Sequence, residues 1–309
     1  MGKSDGQFSE ADVIALLAKI FASSDSRIEV GIGDDGAVVQ TSGRQVVTTD
    51  MAVEGVHFKK EWSSAFDIGR KITAANLADL LSMGSKPDYL VVAVSLTGKE
   101  ELSWISQLAE GIAFEAKLGG ASVIGGDLTR GSAVTISMTA LGSVSKPILR
   151  SGAKVGDRIY LSSLTGWSAA GLHLLRDGIT PSNPEQIKAI AEFCAPAVDY
   201  NADFSLANAM CDISDAIYIQ AEQLARASGV ALDFDTNLIK SAPEFAELSK
   251  VAKEIDVDVF EFIFGGGEDH VLLATGRDLP GICVGMVVEG SGIKGVEMKK
   301  APDSWRHFN

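Results

Sequence analysis

Seven aspartates stand among glycines and small polar residues: Asp34 and Asp35 in GIGDDGA (Gly31 to Ala37), Asp50 in TTD, Asp79 in NLADL, Asp127 in GGD, and Asp212 and Asp215 in DISD. Each block falls where an apolar run ends. A carboxylate among small residues at the end of a buried strand has no bulky neighbour to cover it, so it points into a cleft. Seven carboxylates in one cleft would repel one another unless multivalent cations lay between them. An all-oxygen donor set suits Mg²⁺ or Ca²⁺. The expected chemistry is metal-dependent and directed at phosphates.

The elements that must position these acids alternate between strand and helix. Ser9 and Asp12 form a capping-box pattern, and Val13, Leu16, Leu17 and Ile20 follow at helical spacing, which predicts a first helix to about Ala22. Val46 to Thr49 and Leu90 to Leu96 read as strands, with a helix from Asp67, its expected N-cap, to Met83 between them. A helix over Glu101 to Leu118 and strands over Ala121 to Ile124 and Val134 to Val144 complete the first half. Proline, glycine and basic residues concentrate in Lys146 to Gly156 and mark a boundary. Beyond it the pattern predicts a strand at Arg158 to Ser162 and helices near Ser168 to Arg176, Glu185 to Cys194, Asp199 to Asn208 and Ala216 to Ser228. Strands are expected near Val230 to Phe234, Val271 to Thr275 and Ile282 to Val288. Two domains are expected, 1–147 and 148–309.

Composition restricts the partners. With 309 residues, 46% of them hydrophobic, the chain can bury a sizeable core. Forty-one acidic against 27 basic residues give a net charge of -14, which disfavours nucleic acid and anionic membrane. Cys194, Cys211 and Cys283 lack CxxC spacing, so neither a disulfide framework nor a zinc site is supported. No apolar stretch is long enough to cross a bilayer, and no basic segment followed by an apolar one opens the chain. The expected location is the cytoplasm.

Gly31-Ile-Gly33-Asp-Asp-Gly36 fits the dinucleotide fingerprint GxGxxG. That fold needs a helix directly after the glycines to face the pyrophosphate. Ala37 to Gln40 reads as a strand instead, and Asp34 and Asp35 would put negative charge where pyrophosphate should lie. No P-loop and no HRD catalytic loop occurs either.

GIGDDGAVV, TTDMAVEGVHF, NLADLLSMGSKP, GGDLTRG, RSGAKVGD, DISDAI and GGGEDHVLL occur in this order across nearly the whole chain. Together they resemble the thiamine-monophosphate kinase family. The resemblance implies an α+β fold with two domains of aminoimidazole ribonucleotide synthetase type, mixed β-sheets packed with helices, and a homodimer formed by the N-terminal domain. It implies transfer of phosphate from ATP to thiamine monophosphate, with several Mg²⁺ ions. A phosphate monoester with a second pKa of about 6 is largely dianionic at neutral pH, so the acceptor needs no strong base. Positioning and charge neutralisation are what the reaction requires.

By the same resemblance Asp35, Asp50, Asp79, Asp127, Asp212 and Asp215 hold metal, with Thr48 and Thr49 supplying further oxygens, and Asp35, Asp127, Asp212 and Asp215 are the catalytic set. Asp34 serves the turn as readily as a metal. Ser214, Arg150, Gly125 and Gly126 are implied contacts of ATP, the arginine through its forked guanidinium. His57, Glu268 and Trp305 are implied contacts of the thiamine substrate. Three positions depart from the family pattern: Ala216 replaces the glycine of DISDG, the GGEDY tract has gained a glycine and carries His270, and the tail around Trp305 is short. A sister enzyme of the aminoimidazole ribonucleotide synthetase type, releasing ADP and phosphate, is the alternative. A protein that binds cations only structurally is the other.

Overall fold

A computed structural model describes residues 9–296. The chain divides into two compact units, Met1–Leu80 with Lys86–Ser145, and Leu81–Ser85 with Lys146–Asn309.

The first unit opens with α1 (Glu10–Ile20), whose capping box is present as the sequence predicts: Asp12 accepts from the Ser9 N–H at 2.8 Å and donates its own N–H to Ser9 Oγ. A short antiparallel hairpin, β1 (Ile28–Val30) and β2 (Val38–Val39), follows, and the acidic glycine-rich segment forms its tip. The base of this hairpin is clamped. Arg27 forks onto Asp25 at 2.8 Å and Asp88 at 2.5 Å and lies over the Tyr89 ring, while the Tyr89 hydroxyl donates to the Gln40 carbonyl at 2.8 Å. A strand, not a helix, thus follows the glycines, in agreement with rejection of the dinucleotide reading.

β3 (Arg44–Val53), α2 (Ala65–Ser82), β4 (Lys86–Leu96), α3 (Leu102–Gly119), β5 (Ser122–Arg130) and β6 (Thr135–Val144) complete the unit. Their sheet has the order β3-β6-β4-β5, with only β4 and β5 parallel, joined by α3 as the crossover. Alternation sorts the two faces. Ile136, Met138 and Ala140 of β6 are buried, while Val47 and Met51 of β3 stay 61% and 56% exposed on the other face. The helix α2 begins two residues before the expected cap, because Ser64 and not Asp67 caps it: Ser64 Oγ accepts the Asp67 N–H and donates to its carboxylate at 2.6 Å. β5 runs past Ile124 through Gly125 and Gly126, since parallel pairing with β4 holds the glycines in the ladder.

The second unit holds a 3₁₀ turn at Arg150–Gly152, then β7 (Arg158–Leu161), α4 (Trp167–Arg176), α5 (Pro184–Cys194), β8 (Ala209–Ile213), α6 (Ile217–Ser228) and β9 (Ala231–Phe234). Next come α7 (Thr236–Lys240), α8 (Phe245–Glu254), α9 (Val259–Gly265), β10 (Val271–Gly276), β11 (Ile282–Val288) and β12 (Gly292–Lys294). The strands form one sheet in the order β12-β9-β11-β7-β10-β8, antiparallel except for β12 on β9. Ile159, Leu161, Leu224, Phe264 and Leu273 belong to the main core, and Ile148, Tyr160, Met210 and Leu272 to a smaller cluster.

Residues 199–208 are not the helix that periodicity suggests. Asp199 and Asp203 each accept the N–H two residues on, at 3.0 Å, so local turns outcompete helical bonding. The helices α7 and α9 are short and were not expected; α8 was also not expected, although Leu248, Val251 and Ala252 stand at helical spacing and are buried. Asp235 and Asp258 cap two of them.

Candidate active site

The first unit gathers Asp34, Asp35, Gly125, Gly126 and Asp127 around one cavity of about 420 Å³. Its apolar walls come from Ile14 and Leu17 of α1, Val92 and Val94 of β4, and Leu108 and Ile112 of α3. Four residues that the sequence assigns to metal or nucleotide therefore share one hollow, although Asp35 and Asp127 lie far apart in the chain. The two glycines do different work. A Cβ on Gly126 would sit 1.9 Å from the Val92 carbonyl oxygen, so the residue is fixed by close strand packing, whereas around Gly125 the space is open to 4 Å. Asp34 accepts the Asp35 N–H at 2.9 Å and so shapes the hairpin tip.

Thr48, Asp50 and Asp79 form a second group. The Thr48 hydroxyl donates to Asp79 of α2 at 2.5 Å, and strand alternation places Asp50 on the same face as Thr48. Thr49 lies on the opposite face, where its hydroxyl donates to the Met138 carbonyl at 3.0 Å, so its hydroxyl does not join this group. His57 lies in the turn after β3, with Nδ1 accepting the Val53 N–H at 3.1 Å. A neutral imidazole held this way carries its proton on Nε2.

In the second unit Asp212 ends β8, and Ser214 and Asp215 occupy the turn into α6. Burial and the Asp212 charge push the Cys211 thiol up to about 12, while the Arg150 guanidinium pulls it the other way. Arg150 therefore reaches the Cys211–Asp212 end of β8. The GGGEDH tract is strapped along the same turn: Glu268 N–H donates to the Ser214 carbonyl at 2.7 Å and His270 N–H to the Ile213 carbonyl at 3.0 Å. Gly267 packs so closely that a Cβ would lie 2.3 Å from the Asp215 carbonyl oxygen. The His270 ring, buried beside Asp212, brings Nδ1 to 3.8 Å from its carboxylate.

Glu268 and His270 both adopt left-handed backbone, φ 68° and 51°, flanking Asp269. That kink turns Asp269 inward, where its carboxylate accepts the Gly166 N–H at 2.8 Å and the Ser168 N–H at 2.9 Å and caps α4. Burial raises the Asp269 pKa to about 6, against the two N–H bonds that lower it. Sequence reasoning gave Asp269 no role, because the helix it caps is about a hundred residues away. It also missed Gln220, whose side chain bonds the DISDA turn. A glutamine four residues into a helix carries no distinctive signal. Trp305 lies outside the described residues.

The donor chemistry fits Mg²⁺. The grouped side chains are carboxylates and a hydroxyl, and among the described residues no three His, Cys, Asp or Glu form a closed metal cage. Mg²⁺ keeps several waters and takes one or two protein carboxylates together with substrate phosphates, so it needs no such cage.

This α+β architecture with acidic glycine-rich loops is of aminoimidazole ribonucleotide synthetase type: residues 33–144 match the family described as AIR synthase related protein, N-terminal domain. The chain is 34% identical over 285 residues to the thiamine-monophosphate kinase of Corynebacterium glutamicum, covering 89% of this chain and 83% of that one. It superposes on thiamine-monophosphate kinase from Stenotrophomonas maltophilia with a TM-score of 0.78 at 30% identity, over 93% of this chain and 96% of the other. AaThiL complexed with AMPPCP and TMP gives a TM-score of 0.78 at 27% identity, over 99% of this chain and 100% of that one. The chain belongs to the thiamine-monophosphate kinase family, and is thus a phosphotransferase.

Proposed function

We propose that this chain transfers the γ-phosphoryl group of ATP directly to thiamine monophosphate, giving thiamine diphosphate and ADP, with several Mg²⁺ ions required. The observation that carries this reading is the cavity of the first unit. Apolar walls suit a purine ring, and a rim of Asp35, Gly125, Gly126 and Asp127 suits phosphates approached by backbone and metal. The complex of a relative of the same fold with AMPPCP and TMP supports the same pairing of substrates.

Asp35, Thr48, Thr49, Asp50, Asp79, Asp127, Asp212 and Asp215 would hold Mg²⁺, Thr49 through its carbonyl. When bound, Mg²⁺ supplies the charge neutralisation that lets a dianionic acceptor approach a triphosphate. The remaining work belongs to protein groups. Arg150 binds phosphate oxygens with its fork, and the Ser214 hydroxyl donates to one. His57 presents its Nε2 proton to the acceptor phosphate, and Glu268 opposes the cationic thiazolium. Trp305 is assigned to ring stacking on the substrate. The acceptor oxygen is already ionised, so no side chain need remove a proton.

In this reading residues 1–147 bind nucleotide and metal and form a homodimer, for which the exposed Val47 and Met51 on the open sheet face are the support. Residues 148–309 form the second domain. The three cysteines are thiols rather than disulfides, which supports a reducing, cytoplasmic setting.

The test fills the cavity. Gly125→Val puts a branched side chain into open space beside the rim, at a cost of about 1–3 kcal/mol to a ligand lodged there, about 5- to 150-fold in affinity. Titration calorimetry with Mg²⁺ and AMPPCP should show that loss. Undiminished affinity would move the nucleotide elsewhere.

A further inference from the structure

We infer that Gln220 is a positioning residue for nucleotide binding, acting by setting the hydrogen-bond direction of Ser214 and holding one oxygen of Asp215. The inference rests on the proposed assignment of Ser214 to the ATP phosphates. Gln220 is 3% exposed, in the first turns of α6. Its Oε1 accepts the Ala216 N–H at 2.9 Å. That bond fixes the amide: Nε2 must face the other way, and it does, donating to Ser214 Oγ at 3.2 Å and to Asp215 Oδ2 at 3.4 Å.

The amide's two Nε2 hydrogens thus meet two acceptors. Because Ser214 Oγ accepts from Gln220, its own hydrogen is left to donate, which is the polarity a phosphate oxygen needs. The bond to Asp215 Oδ2 restrains the rotation of that carboxylate and makes no use of Oδ1. Ala216 has no side chain able to cap α6, so Gln220 also caps that helix from within. Capping alone does not require an amide. A glutamate of the same shape would accept the Ala216 N–H equally well, but its second oxygen would draw the Ser214 hydrogen toward itself and set a like charge against Asp215. Glutamine serves both ends at once.

The distinguishing variant is therefore Gln220→Glu, compared with Ser214→Ala and the double variant. Affinity for AMPPCP with Mg²⁺ is measured by calorimetry and folding by thermal melting. Gln220→Glu should still melt cooperatively, at a temperature lowered by the buried like charge, and should bind AMPPCP about tenfold or more weakly, the loss of one hydrogen bond to a charged group. On the Ser214→Ala background the same change should cost much less, since the hydroxyl it redirects is gone. Equal affinity of Gln220→Glu and wild type overturns the inference. So does an additive double variant, which would reduce Gln220 to a helix cap. A wild-type protein that binds AMPPCP but forms no thiamine diphosphate overturns the proposed acceptor and leaves the cycle decisive for Gln220. A wild type that does not bind AMPPCP overturns both.

Discussion

Asp269 makes the stability of the second unit depend on pH in an unusual direction. The residue is 6% exposed, its carboxylate faces two backbone N–H groups at the start of α4, and burial raises its pKa from 3.8 to about 6. A raised folded-state pKa means that between about pH 4 and pH 6 the folded chain holds a proton that the unfolded chain has released. Stability from this group is therefore full below the unfolded pKa and is lost as pH rises through the folded one. At about 1.4 kcal/mol per pH unit, the rise from 3.8 to about 6 corresponds to about 3 kcal/mol. Asp269→Asn keeps the shape and an accepting oxygen but cannot titrate. Unfolding free energies from urea titrations at several pH values between 4 and 7 isolate the effect as the difference between wild type and variant. That difference should fall by about 2–3 kcal/mol, to the wild type's disadvantage, as pH rises. A difference that stays flat, or that moves in favour of the wild type, would show that the two N–H bonds outweigh burial and would refute the reasoning.

Gly267→Ala drives a Cβ to 2.3 Å from the Asp215 carbonyl, so it should cost about 1–3 kcal/mol of stability and raise KM for ATP by moving the Ser214–Asp215 turn, measured by melting and steady-state kinetics. Glu100 shows the opposite titration to Asp269: burial raises its pKa, but Lys60 at 2.7 Å and the Thr97 hydroxyl and backbone win and hold it at about 2. Its contribution is present above its ordinary pKa of 4.5 and is lost as pH falls toward 2, so Glu100→Gln should be destabilising at pH 7 by about 3 kcal/mol and nearly neutral near pH 2 in the same urea titrations.

Where local pattern and tertiary demand agree, the sequence was legible. The Ser9–Asp12 box, the strand after the glycines and the helix α3 are written in neighbouring residues. The segment 199–208 misled because its apolar spacing hid two aspartates that capture their own backbone. At the site, Asp35, Gly125, Gly126 and Asp127 were named from their blocks, and the fold brings them to one cavity. Thr49 shows the limit of reading a motif as a unit: in TTD, strand alternation sends its hydroxyl away from that of Thr48. Asp269 and Gln220 escaped notice because their work is done on a helix start and a turn, and only the folded chain shows which backbone N–H each one meets.

The central claim is tested most directly by incubating the purified protein with Mg²⁺, ATP and thiamine monophosphate and quantifying thiamine diphosphate and ADP together, with Asp127→Asn alongside. The account predicts equal amounts of both products from the wild type and a rate lower by about a hundredfold or more in the variant, since phosphoryl transfer depends on charge neutralisation. ADP accompanied by inorganic phosphate without thiamine diphosphate, formed instead with a formylglycinamidine ribonucleotide, would contradict it.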